Sequence, residues 1–166
     1  MIDNILAISE LPTRYGDFLA VDGFNLKLKK GTVHGLVGPN GAGKSTMLSI
    51  ISGLRRKTSG EINFGLPQKE IMLMPDTPDF FGFLTARQTV DLARSPFLES
   101  VPETKIGEVI SDVGLSDAIE KKVGRFSRGM KQRLGLATTI IGQPNLILLD
   151  EPCSALDPIG RHDVLE

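Results

Sequence analysis

Gly38-Pro39-Asn40-Gly41-Ala42-Gly43-Lys44-Ser45-Thr46 fills every fixed position of the pattern G-x-x-x-x-G-K-[ST]. Glycines at these places let the backbone wrap close to phosphate oxygens, so that successive N–H groups converge on one anion. The pattern requires a strand before it and a helix after it. Val33 to Val37 is a short apolar run ending at Gly38 and reads as a buried strand. From Lys44 to Ser52 the apolar residues are Met47, Leu48, Ile50 and Ile51, and Gly53 stands where a C′ glycine ends a helix. That helix offers its positive end to the same anion. Lys44 is placed to pair with outer phosphates and stabilise their charge, and Ser45 to hold Mg²⁺. A structural glycine turn ahead of a helix is the competing reading; the full match in a strand–helix setting weighs against it.

Two later stretches extend this chemistry. Leu146 to Leu149 is an apolar strand closed by Asp150-Glu151-Pro152. A carboxylate at that strand end can hold Mg²⁺ through water, which assigns Asp150 to the metal. Glu151, next along an extended chain, faces the other side and is the candidate to orient or deprotonate an attacking water. Polar residues that merely end a strand would look the same; the phosphate loop in the same chain favours the catalytic reading. Phe126-Ser127-Arg128-Gly129-Met130 opens a helical stripe of Met130, Leu134, Ala137 and Ile141. Ser127 is either a plain N-cap or the start of a second phosphate-binding helix whose N–H groups face a γ-phosphate. A second such start suggests two copies sharing nucleotides across an interface.

Around these motifs, Ile5 to Leu11 and Phe24 to Leu28 read as strands, with a turn at Lys29-Lys30-Gly31. Ser59-Gly60-Glu61-Ile62-Asn63-Phe64 suggests a strand after a turn, and Ile71 to Met74 is stopped by Pro75. Thr85 and Gln88 form a capping box for a helix through Ala93. Ile106, Val109, Ile110 and Val113 keep helical spacing, and Gly114 follows as the stop. The chain's 166 residues suit one domain with a real core. A net charge of −1, without a basic tail or acidic block, gives no sign of nucleic acid as a partner. The single cysteine, Cys153, excludes an internal disulfide and a multi-cysteine zinc site and is expected simply to pack. The first residues lack the pattern of a signal peptide, and no run approaches the roughly 18 apolar residues that span a bilayer. Any service to a membrane is therefore expected to pass through a partner that supplies the span.

In these motifs and their order, the chain resembles the nucleotide-binding domain of the ATP-binding cassette family, from Tyr15 to Asp157. Phe126-Ser127-Arg128-Gly129-Met130 resembles that family's signature, usually Leu-Ser-Gly-Gly-Gln, and Ser154-Ala155-Leu156-Asp157 its D-loop. The resemblance implies an α/β P-loop NTPase fold with a RecA-like parallel core and an N-terminal antiparallel β-subdomain. A helical subdomain at about 77–142 is inserted in the core, and residues 1–166 form a single, partial cassette domain, incomplete at the C-terminus. It implies a head-to-tail dimer with two ATP molecules at the interface. Nucleotide would be held by Tyr15 at the adenine, by Gly38, Pro39, Asn40, Gly41, Ala42, Gly43, Lys44, Ser45 and Thr46, and by Ser127, Arg128, Gly129 and Asp157. Mg²⁺ would be held by Ser45, Asp76 and Asp150, with Glu151 and Lys44 as catalytic residues.

Asp76 stands where the family usually has glutamine; a carboxylate accepts and binds metal but cannot donate as an amide does. Arg128 replaces a signature glycine, and is either a cation near phosphate or a surface arginine without a role. The family's next parallel strand and its switch histidine lie beyond Glu166; neither His34 nor His162 stands at the switch position. That strand belongs between those ending at Gly38 and Asp150, so a gap in the sheet and poor folding alone are expected. Phe80, Phe81 and Phe83 lie either in the local core or near the groove that receives a membrane partner. The resemblance implies an ATPase subunit that powers a membrane-spanning permease, most like bacterial export systems. Its place would be cytoplasmic, peripheral at the inner face of the cell membrane. The alternatives are a soluble cassette ATPase of translation or DNA repair, and a nucleotide-binding module that does not hydrolyse.

Overall fold

Leu6 and Ile8 alternate as a half-buried strand should, but the next inward residue is Leu11, three positions on rather than two. The fold accommodates the extra residue with a bulge. Glu10 takes a left-handed φ of 49°, and the register with the neighbouring strand shifts between Ile8 and Leu11. Asn25 clamps the bulge: its Oδ1 accepts from Glu10 N (3.0 Å) and its Nδ2 donates to Glu10 Oε1 (2.8 Å). Leu11 thereby returns to the core face.

In this computed structural model, residues 4–15 and 18–152 are described. The chain divides into two compact units, Met1–Leu73 and Met74–Glu166. In the first, β1 (Asn4–Tyr15) lies between β2 (Phe18–Lys29) and β3 (Glu61–Phe64), antiparallel to both. The hairpin runs longer at both strands than the apolar runs alone suggest. Helix α1 (Lys44–Ile51) buries Thr46, Met47, Ile50 and Ile51, and Gly53 at φ 81° terminates it as expected.

The expected strand at Val33 to Val37 does not form: these residues lie outside every strand, and Val33 and Val37 are 101% and 94% exposed. An all-apolar strand is stable only with hydrogen-bonded neighbours and covered faces, and among the described residues none pairs with this run.

In the second unit, α2 (Ala86–Arg94), α3 (Thr104–Asp112) and α4 (Arg128–Ile140) pack on one another. Their core holds Val90, Ile106, Val109, Ile110, Leu134 and Ala137. The capping box at α2 is complete, with Thr85 accepting from Gln88 N and Gln88 Oε1 accepting from Thr85 N. Such a cap stabilises a helix by about 1 kcal/mol. Gly114, at φ 67°, ends the α3 region as expected. Strand β4 (Ile71–Met74) pairs in parallel with β5 (Leu146–Leu149), and Asp150 N donates to Met74 O at 3.0 Å. The pairing brings Asp76 and Asp150 to neighbouring strand ends. Leu146 and Leu148 of β5 are buried while Ile147 and Leu149 are not, so one face of this apolar strand stays open. Among the described residues no helix is long and apolar enough to cross a membrane.

Candidate nucleotide site

The loop from Gly38 to Gly43 is shaped by glycine. Gly41 and Gly43 sit at φ 81° and 83°, a left-handed conformation that costs other residues about 1 kcal/mol or more. Ala42 N donates to Pro39 O at 3.1 Å and closes the turn between them. Gly43 is the N-cap of α1, and no side-chain hydrogen bond caps the helix start. Left-handed glycines followed at once by a helix start without a side-chain cap suit a phosphate. Lys44 Nζ lies inside the loop, donating to Gly38 O (2.9 Å) and Pro39 O (3.0 Å). Ser45, the next residue, is exposed, and Thr46 is buried beneath it.

In the other unit, Asp150 is 9% exposed and Glu151 lies open to solvent. Glu151 does not continue the extended chain: its φ is 47°. The following Pro152 favours an extended Glu151, so this left-handed turn runs against the local preference. For a non-glycine residue this costs of order 1–3 kcal/mol, and such strain concentrates at functional sites. Asp76 is partly buried and accepts from Thr77 Oγ1 at 3.4 Å. The hydroxyl and carboxylates of Ser45, Asp76 and Asp150 are hard oxygen donors of the type Mg²⁺ takes. That ion characteristically keeps several waters and phosphate oxygens rather than a closed protein cage.

Ser127 is the N-cap of α4, its hydroxyl accepting from Met130 N at 3.2 Å. The capping half of the sequence reading is thus realised, and the N–H groups of Arg128 and Gly129 still open the helix. Arg128 is exposed. Tyr15 ends β1, paired with Phe18, but its side chain lies outside the described residues, as do Cys153 and the stretch Ser154 to Asp157. The three phenylalanines divide: Phe80 packs on the helical core, while Phe81 and Phe83 are exposed with ring centroids 5.6 Å apart.

One buried group drew no notice in the sequence. Gln132 of α4 is 2% exposed and its Nε2 has no hydrogen-bond partner among the described residues. It lies one turn before Gly135, which touches the segment after β4 so closely that an added Cβ would stand 2.7 Å from Pro78 Cγ.

The phosphate loop and paired strand ends define the class: a P-loop nucleotide-binding fold. The ABC transporter family model matches residues 21–154. The chain belongs to the ATP-binding cassette transporter family, and its relatives are that family's ATP-binding subunits. It is 39% identical over 172 residues to the bacitracin transport ATP-binding protein BcrA of Bacillus licheniformis, covering 98% of this chain and 56% of that protein. With the lantibiotic transport ATP-binding protein SrtF of Streptococcus pyogenes it shares 37% identity over 98% of this chain and 72% of that one. Among solved structures, an ATP-binding subunit of an ABC transporter aligns at TM-score 0.85 and 26% identity, over 97% of this chain and 72% of that one. The cbiO1 protein of Clostridium perfringens, part of the transporter complex cbiONQ, aligns at 0.79 and 27%, over 98% of this chain and 71% of that one. The chain therefore spans little more than half the length of some of the curated relatives it matches.

Proposed function

We propose that this chain is the ATP-binding and hydrolysing part of a bacterial export system, and that it works as a dimer on a membrane-spanning permease. The observation that carries the reading is the loop itself: left-handed Gly41 and Gly43, an α1 start without a side-chain cap, and Lys44 Nζ held between the loop carbonyls. Backbone N–H groups from Gly41 to Thr46 hold the phosphates of ATP, and Lys44 neutralises charge that grows on the outer phosphate. Ser45, Asp150 and Asp76, which stands in the place of an amide, would hold Mg²⁺, which when bound polarises the phosphate being transferred. Glu151 orients the attacking water and takes its proton. Ser127, Arg128 and Gly129 meet the nucleotide of a second copy, Tyr15 meets the adenine, and Asp157 meets the other protomer.

Relatives named for bacitracin transport, lantibiotic transport and daunorubicin resistance support export. The exposed Phe81 and Phe83 offer a permease an apolar contact, which supports a peripheral position on the cytoplasmic face of the membrane. ATP hydrolysis by the full natural chain tests the reading. Phosphate release that needs Mg²⁺ and stops when EDTA removes it is expected; release unaffected by EDTA, or no release and no ATP binding, would contradict it.

A further inference from the structure

Gly82 and Gly124 meet backbone to backbone. Gly124 N donates to Gly82 O at 3.0 Å, and Val123 N to Leu84 O at 2.9 Å. The ladder continues with an antiparallel bridge between Thr85 and Lys122, then Ala86 N to Lys121 O (3.3 Å) and Arg87 N to Ile119 O (3.0 Å). An ion pair between Arg87 Nε and Glu120 Oε1 at 2.6 Å closes its far end. A Cβ on Gly124 would stand 2.9 Å from Gly82 O, and one on Gly82 would stand 3.3 Å from Gly124 Cα. Neither glycine has a positive φ, so the backbone conformation does not demand glycine at either place. What demands it is the closeness of the two chains.

Different things hang on the two sides of this contact. On one side is the turn of Phe81 and Phe83, which are 59% and 69% exposed; Leu84 N closes it by donating to Phe81 O at 3.1 Å. On the other, only Arg125 and Phe126 separate Gly124 from Ser127. That link has little slack. Residues Val123–Arg125 form one 3₁₀ turn, Phe126 N donates to Val123 O at 3.0 Å, and Val123 and Phe126 are both buried in the helical core.

We propose that the Gly82–Gly124 contact is the joint that positions Ser127. Through this joint the turn that carries the two exposed rings fixes where α4 begins, and with it the place of Ser127. Gly82 and Gly124 are positioning residues, acting through the backbone. The proposal rests on the reading of Ser127 as a phosphate-facing residue of an ATPase.

The test compares Gly124→Ala and Gly82→Ala in the full natural chain, with Gly107→Ala as control. Gly107 lies in α3, where an added Cβ meets nothing within 4 Å. Amide exchange is read at Met130 and Lys131, whose N–H groups donate to Ser127 Oγ (3.2 Å) and Ser127 O (3.0 Å), and, for comparison, at Val109 to Asp112 of α3. In Gly124→Ala the amides of Met130 and Lys131 should exchange about tenfold faster while those of α3 keep their rates. The kcat for ATP should fall by about tenfold or more with Kd for ATP changed less than about twofold, because misplacing a reacting group costs rate more than ground-state binding. Gly82→Ala should move the same quantities the same way by less, since its Cβ has more room, and it carries the test if Gly124→Ala does not fold. Unchanged exchange at Met130 and Lys131, or exchange rising uniformly over the whole helical unit, would overturn the joint. A wild-type chain that does not hydrolyse ATP would defeat the reading of function, while the exchange measurement would still decide the joint.

Discussion

Glu151→Gln should lower ATP hydrolysis by about 10²–10⁴-fold and leave ATP binding in place. Glutamine keeps the size of the side chain and a carbonyl to hold water, but it has no carboxylate to take the proton. Asp150 is untouched by the change, so metal binding through it should persist. The left-handed φ of 47° at Glu151 is retained too, since glutamine meets the same steric terms as glutamate. The loss should therefore appear in kcat and not in affinity. Phosphate release and an ATP titration on the same variant separate the two, and size-exclusion chromatography should show an ATP-loaded dimer that persists. Hydrolysis at the wild-type rate would remove Glu151 from the reaction.

Lys44→Ala should act on binding instead. The ammonium donates to two loop carbonyls, Gly38 O and Pro39 O, so it braces the loop as well as supplying charge. Hydrogen bonds to a charged group are worth about 1.5–3 kcal/mol each. Losing the phosphate contacts should cost about 3 kcal/mol, or about a hundredfold in affinity for ATP. Calorimetric titration with ATP checks this. An affinity within about threefold of wild type would mean that Lys44 does not reach the phosphates.

The elements that local chemistry specifies were legible in the sequence. The capping box at Thr85 and Gln88, the glycine stops at Gly53 and Gly114, and helix α1 after the phosphate loop all depend on residues within a turn or two. Val33 to Val37 was not legible in this way, because an apolar run becomes a strand only through a neighbour distant in sequence. The turn at Glu151 escaped because the strand pattern of Leu146 to Leu149 and the following Pro152 both favour a chain that runs on extended. Phe80, Phe81 and Phe83 look alike in sequence, yet only Phe80 packs on the helical core, and composition alone cannot divide three adjacent aromatics. Gly82 and Gly124 gave no signal either. A glycine required by close approach rather than by a turn carries no motif, and it becomes visible only when its partner strand is in view.

The central claim is that backbone N–H groups of the glycine loop hold a triphosphate. Amide NMR of the full natural chain, titrated with a non-hydrolysable ATP analogue and Mg²⁺, tests it most directly. The account predicts that the largest shift changes fall on the amides of Gly41 to Thr46. Saturable binding of the analogue that leaves those amides where they stood would contradict it.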